Sequence, residues 1–215
     1  MTCRCKIVKT ISFIVMLGGL LVMIGWLLDI SVLKSILPQY VAMKFTTALC
    51  FVLSGATLYF VCRNYQREEQ ANDLTIIFID FLIVLVMVSL LLSVFFRIET
   101  GMENLFVVEP DGAIDTPVAG RPSMFAMIDF ILVAVAGLLS LIKKTSVVIV
   151  IRGLGLIVTA SGLMAIIGYV IKVPALYGHF GAYSSAIALH SAVLFMLLGF
   201  GFSLVGKNFL SGQRQ

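Results

Sequence analysis

Four ionisable side chains lie inside long apolar runs of this sequence: Asp80, Asp129, Arg152 and His190. A charge at lipid depth is costly, so each is a functional candidate. Asp80 and Arg152 each sit six residues into their run, counted from one common face. Equal depth leads to the expectation of a structural ion pair. Snorkelling of Arg152 to the interface or a proton path are the alternatives. Asp129 and His190 lie near the opposite face. Their depths differ by about one helical turn, or ~6 Å. A carboxylate orienting an imidazole would make a pH-responsive pair. A hydrogen bond from His190 to a neighbouring helix is the plainer alternative.

Other chemistry is thinly represented. Glu99 and Glu103 are four residues apart and would share a face on a helix. With His179 they would bind a cation weakly, although a solvated acidic loop is the stronger expectation. The cysteines are Cys3, Cys5, Cys50 and Cys62. Cys3-x-Cys5 is half of a metal motif without its second half, so four reduced thiols are expected. No Gly-x-Ser-x-Gly, His-Glu-x-x-His or phosphate-binding glycine loop is present. These absences point away from an enzyme, and no cofactor is implied.

The elements that carry these residues follow from composition. The chain has 215 residues, 60% hydrophobic and 12% charged, with a mean hydropathy of +1.11. A soluble chain would carry about 25% charged residues. The lipid bilayer is therefore the first partner. A net charge of +4 without a basic cluster gives no nucleic-acid face. About 20 apolar residues cross a bilayer as a helix. That predicts six transmembrane helices, at 10–29, 43–62, 75–96, 124–142, 147–170 and 186–205. The first reads as an uncleaved signal anchor, because Trp26 and Leu27 stand where a cleavage site needs small residues.

Three even-numbered spans share a pattern when aligned on Phe51, Phe130 and Phe195. Each has Leu two residues after the Phe (Leu53, Leu132, Leu197) and Gly or Ala four after it (Gly55, Ala134, Gly199). The odd spans repeat as well. Asp29, Arg97 and Lys172 are the first charges after each. The single transmembrane domain, 1–215, then consists of three tandem helical hairpins, about 1–70, 71–145 and 146–207, as an all-α pseudo-threefold bundle. Arg4, Lys6, Lys9, Arg63, Arg67, Lys143 and Lys144 share one side, which places both termini in the cytoplasm. The alignment sets Thr46 level with His190. One ligand-binding cavity is expected from His190, Asp129 and Thr46, with Tyr177 and Tyr183 near its mouth. The outer loops would cover it as interfacial helices or re-entrant segments, or simply lie at the interface.

The third hairpin carries a family resemblance. Leu176, Tyr177 and Gly178, then Ala188, Leu189, His190, Ser191 and Ala192, then Gly199 and Gly201, form one pattern. It resembles the multi-helix membrane input region of bacterial sensor histidine kinases and diguanylate cyclases. Thr46 to Phe51 and Gly120 to Met124 resemble its earlier hairpins, while Asp129 departs from it. The resemblance implies a sensory module in the inner membrane. Such kinases continue into PAS-like and catalytic domains. Here ten residues follow the last span, so a signalling partner protein or a homo-oligomer is expected to supply any output. A proton-coupled or small-solute transporter and a structural membrane subunit are the rival expectations.

Overall fold

The computed structural model describes residues 3–36, 40–67, 73–109, 116, 118–178 and 185–206. Among them the structure is helical, without strands. The helices are α1 (Cys3–Leu27), α2 (Ser31–Lys34), α3 (Phe45–Arg67), α4 (Asp73–Phe96), α5 (Met124–Leu139), α6 (Thr145–Ile171) and α7 (Leu189–Ser203), with a 3-10 turn at Pro174–Tyr177. Among the described residues, four stretches are long and apolar enough to cross a membrane: Arg4–Leu27, Phe45–Tyr65, Asp73–Phe96 and Thr145–Ile171. Helices α5 and α7 are apolar but shorter, at 16 and 15 residues. They reach about 24 Å and 22 Å at the helical rise. Local chemistry shortens both relative to the sequence expectation. The Ser140 hydroxyl donates back to the Gly137 carbonyl where α5 ends. Ala188 is extended, so α7 begins only at Leu189.

Helices α1, α4 and α6 end alike. Asp29, Arg97 and Lys172 all have positive φ, at 55°, 57° and 58°. The next amide in each case donates to a carbonyl five residues back: Ile30 to Gly25, Ile98 to Ser93 and Val173 to Gly168. This is the Schellman arrangement, which satisfies a carbonyl that the helix leaves open. L-residues in that conformation are strained by about 1–2 kcal/mol each. Helices α3, α5 and α7 begin alike as well. Ala48, Met127 and Ala192 donate to the carbonyls of Lys44, Ser123 and Ala188. Each of those carbonyls lies seven residues before Phe51, Phe130 or Phe195.

These three phenylalanines form the centre of the core. Their rings meet pairwise at 4.9, 4.6 and 4.7 Å between centroids, and all three are fully buried. Such tilted ring pairs add about 0.5–1.5 kcal/mol beyond the area they bury. Around this centre α1 packs chiefly on α3, α4 on α5 and α6 on α7. The α6–α7 crossing brings backbone to backbone. A Cβ on Gly155 would sit 2.7 Å from the Gly199 carbonyl, and one on Gly199 would sit 2.5 Å from that of Gly155. Small residues allow membrane helices this approach. The outward faces are apolar. Phe78, Phe81, Ile149 and Leu156 are exposed, as expected where lipid is the solvent.

The cysteines depart from expectation. Antiparallel packing of α1 on α3 places the Cα atoms of Cys5 and Cys62 6.4 Å apart, and the two are joined as a disulfide. That separation lies within bridging range. Cys50 is a free, buried thiol.

Candidate functional site: a buried charged latch

The two intramembrane pairs expected from the sequence are not made. Asp80 is fully buried on α4. Its Oδ1 accepts from the Thr57 hydroxyl at 2.7 Å, and its Oδ2, packed against the Gly137 backbone, has no hydrogen-bond partner. Arg152 turns elsewhere. Its Nε donates to the Val205 carbonyl at 3.0 Å, where a cation complements the end of α7. The expected Asp80–Arg152 ion pair is therefore corrected: α4 packs on α3 and α5, while α6 packs mainly on α7. Asp129 is buried, and its Oδ2 accepts from the Ser161 hydroxyl of α6 at 2.8 Å. The His190 Nε2 has no hydrogen-bond partner. The carboxylate expected on the imidazole serves a serine instead.

The remaining expected site residues lie near one end of the bundle. Thr46 is buried in the first turn of α3. Tyr177 stacks on Tyr169 at 4.3 Å between centroids. The Tyr169 hydroxyl donates to the Ile187 carbonyl, and the Ile187 amide donates to the Tyr177 carbonyl. These contacts tie the turn after α6 to the segment before α7. Tyr183 and His179 lie outside the described residues.

The same end holds a constellation that the sequence reading missed. Lys44, at the start of α3, is buried to 4% exposure, as is Glu109. The Lys44 Nζ donates to both carboxylate oxygens of Glu109, at 2.6 and 2.7 Å, and to the Thr116 hydroxyl at 2.9 Å. An ammonium has three donors, and here each has an acceptor. Glu109 also accepts from the Gly120 amide at 2.6 Å. Gly120 has a φ of 73°, and a Cβ there would lie 2.1 Å from the Glu103 carbonyl oxygen. Only glycine fits that turn without displacing the segment.

A second pair lies beside the first. Arg121 Nη2 donates to Glu103 Oε1 at 3.0 Å and to the Ile98 carbonyl at 2.9 Å. The Thr100 amide and hydroxyl donate to Glu103 Oε2. Glu103 is thus a buried, fully engaged carboxylate. The expectation that it belongs to a solvated acidic loop is corrected, as is its shared helical face with Glu99: residues 97–109 form turns, and Glu99 is exposed. Burial pulls the Lys44 ammonium below its ordinary range, partly opposed by Glu109. Burial pushes the Glu103 carboxyl up, but its hydrogen bonds from backbone amides, Arg121 and Thr100 outweigh that and hold it below the usual carboxylate value. Charge-assisted bonds of this kind are the strong ones.

These contacts form a latch. Residues 98–109 are fastened by Glu103 and Glu109 to Arg121 and Lys44, cations set just before α5 and α3. Trp26 joins in, donating from Nε1 to the Met43 carbonyl at 2.8 Å. Two small cavities adjoin Lys44. One is lined by residues that include Trp26, Thr46, Glu109 and Gly120. The other lies where α3, α5 and α7 begin and is lined in part by Thr47, Ser123 and Ser191. Each encloses about 10 Å³, the room of roughly one water molecule. A sequence signal for the latch does exist. Lys44 and Arg121 are cations placed just before apolar helices, at the end that also carries Glu99, Glu103 and Glu109. No group of three His, Cys, Asp or Glu residues among the described residues could hold a metal ion. Comparison of the chain with protein-family models, with curated proteins and with solved structures finds no match.

Proposed function

We propose that this chain is a non-enzymatic sensory or ligand-binding module of the bacterial inner membrane. It crosses the bilayer six times as three tandem hairpins, with both termini in the cytoplasm and the latch outside. Matching helix ends, matching helix starts and the meeting of Phe51, Phe130 and Phe195 support the hairpin reading. The Lys/Arg bias of the opposite end supports the orientation. One observation carries the functional reading: a segment held over the helix starts by two buried ion pairs. Buried pairs of this kind are all-or-none contacts, because either partner alone is strongly unfavourable. Such an element has two discrete arrangements, which is what a ligand must bias to signal. The two cavities beside Lys44 are small, so a ligand larger than a water molecule that binds there acts by displacing the latch. A partner protein at the cytoplasmic end then reads the change.

The transporter reading has one observation in its favour, the unpartnered carboxylate oxygen of buried Asp80 in the second turn of α4. The packed phenylalanine rings between the latch end and Asp80 weigh against a continuous path. Amide hydrogen exchange in lipid nanodiscs tests the sensory reading. Opening the latch with Glu109→Gln should raise exchange near the latch and also change it at residues 62–67 and 203–206, the far ends of α3 and α7. A change confined to the latch end would make the latch a local brace and remove the support for signalling. In proteoliposomes with an imposed pH gradient, proton leak should equal that of protein-free vesicles. A leak abolished by Asp80→Asn would replace the sensory reading with transport.

A further inference from the structure

Among the described residues, three ties stand out at the end of the bundle opposite the latch. Asn64 Nδ2 donates to Asp73 Oδ1 at 2.7 Å, joining α3 to α4. Arg152 donates to the Val205 carbonyl, joining α6 to α7. The third tie, Cys5–Cys62, joins α1 to α3 across 57 residues of sequence and is covalent. We propose that Cys5 and Cys62 form a reversible thiol–disulfide couple that clamps the first hairpin at its cytoplasmic end, with low-molecular-weight thiols and disulfides as its reactants. The inference rests on the orientation proposed above.

Three observations carry it. The first is the conflict between location and bond. This end carries Arg4, Lys6, Lys9, Arg63, Lys143 and Lys144, the signature of a cytoplasmic face. In that compartment thiols are kept reduced, and a disulfide is there usually transient, in a catalytic or sensing role. The second is that the site accommodates both redox states. The Cys5 sulfur lies 3.8 Å from the Cys62 carbonyl oxygen, and the Cys62 sulfur lies 3.7 Å from the Cys5 carbonyl oxygen. After reduction each thiol would have an acceptor already in place, so no buried polar group is stranded. The third is depth. Both cysteines are buried, at 8% and 5% exposure, yet Arg4 and Lys6 flank Cys5 and are exposed. The sulfurs therefore sit just beneath the aqueous surface, within reach of small polar reagents.

The chemistry balances as two thiol–disulfide exchanges. A thiolate of an external thiol attacks one sulfur of the Cys5–Cys62 bond, giving a mixed disulfide and one free cysteine thiolate, which takes up a proton. A second external thiol attacks the mixed disulfide and releases the other cysteine. The protein gains two electrons and two protons, and two thiols leave as one external disulfide. Oxidation by an external disulfide is the reverse. Closing the bond fixes α1 on α3 and holds the chain entering α1 next to the end of α3. The bond thus bears on the end that a partner would read, while the latch bears on the other.

The test uses the full chain in cells, with Cys3→Ser and Cys50→Ser so that only the two cysteines remain. Samples are quenched in acid and alkylated with a polymer-tagged maleimide. Two adducts per chain are expected at rest. None is expected after the thiol oxidant diamide, with the intact mass lower by two hydrogens, and two again after dithiothreitol. Adding Cys5→Ser should leave one adduct under all three conditions, as an intramolecular bond requires. A bond that is present at rest and resists dithiothreitol in the folded protein overturns the proposal in favour of a permanent staple. Two adducts after diamide overturn it as well. A reporter fused at Gln215 in the same cells shows separately whether the orientation also falls: a permanent bond with the reporter outside defeats both readings, and one with the reporter inside defeats the couple alone.

Discussion

Lys44→Gln is expected to cost the folded protein about 3–5 kcal/mol, the usual penalty for leaving one partner of a buried pair alone. The reason is local. Glu109 is as buried as Lys44, and without the ammonium it keeps the Gly120 amide as a donor but has no counter-charge. Glu109→Gln should cost a similar amount, because Lys44 would then lose its counter-charge and the Thr116 hydroxyl cannot replace it. The double variant should be markedly more stable than the sum of the two losses implies, since an amide–amide contact leaves no bare charge. Reversible unfolding in lipid nanodiscs would measure all three. Coupling of 0.5–3 kcal/mol is the usual range for contacting residues, and the latch should lie at its upper end. If the two costs simply add, Lys44 and Glu109 are not partners and residues 98–109 are held by something else.

The second large effect lies in the core. Phe130→Ala should destabilise by about 3–5 kcal/mol, the range for a buried aromatic truncated to alanine. Phe130 touches both other rings at its depth, so the cavity would open at the point where α3, α5 and α7 meet. Collapse is difficult there because each neighbouring ring already packs on the other. Phe78→Ala is the matched control. Phe78 is 71% exposed on α4, where lipid replaces whatever the ring covered, and its loss should cost little in the same assay. Equal losses at the two positions would show that the three-ring cluster is not the centre of the bundle.

Features set by local chemistry leave marks in the sequence. Asp29, Arg97 and Lys172 stand out as the first charges after apolar runs, and all three adopt the left-handed conformation that ends a helix. Phe51, Phe130 and Phe195 stand out by their shared neighbours, and their rings meet. Position along an apolar run is legible in the sequence, but adjacency is not. Asp80 and Arg152 share a depth, yet their helices pack on different neighbours, so Asp80 goes to Thr57 and Arg152 to Val205. Asp129 met Ser161 for the same reason. The latch was hidden for a different cause. Lys44 pairs with Glu109 across 65 residues, through a segment of turns that has no helical or strand period to read. A polar, acidic stretch between apolar helices looks solvated until its path across the helix starts is known. Cys5 and Cys62 were hidden by the same kind of distance.

The proposed sensing role requires the latch to face away from the cytoplasm. Paired topology reporters measure this directly. One is fused after Gln215 and the other is inserted between Asp111 and Asp115, each active on only one side of the membrane. Six crossings predict opposite sides: the fusion at Gln215 reports cytoplasm, and the insertion in the latch segment reports the exterior. Finding both reporters on the same side would contradict the three-hairpin bundle and, with it, the reading of the latch as an external input.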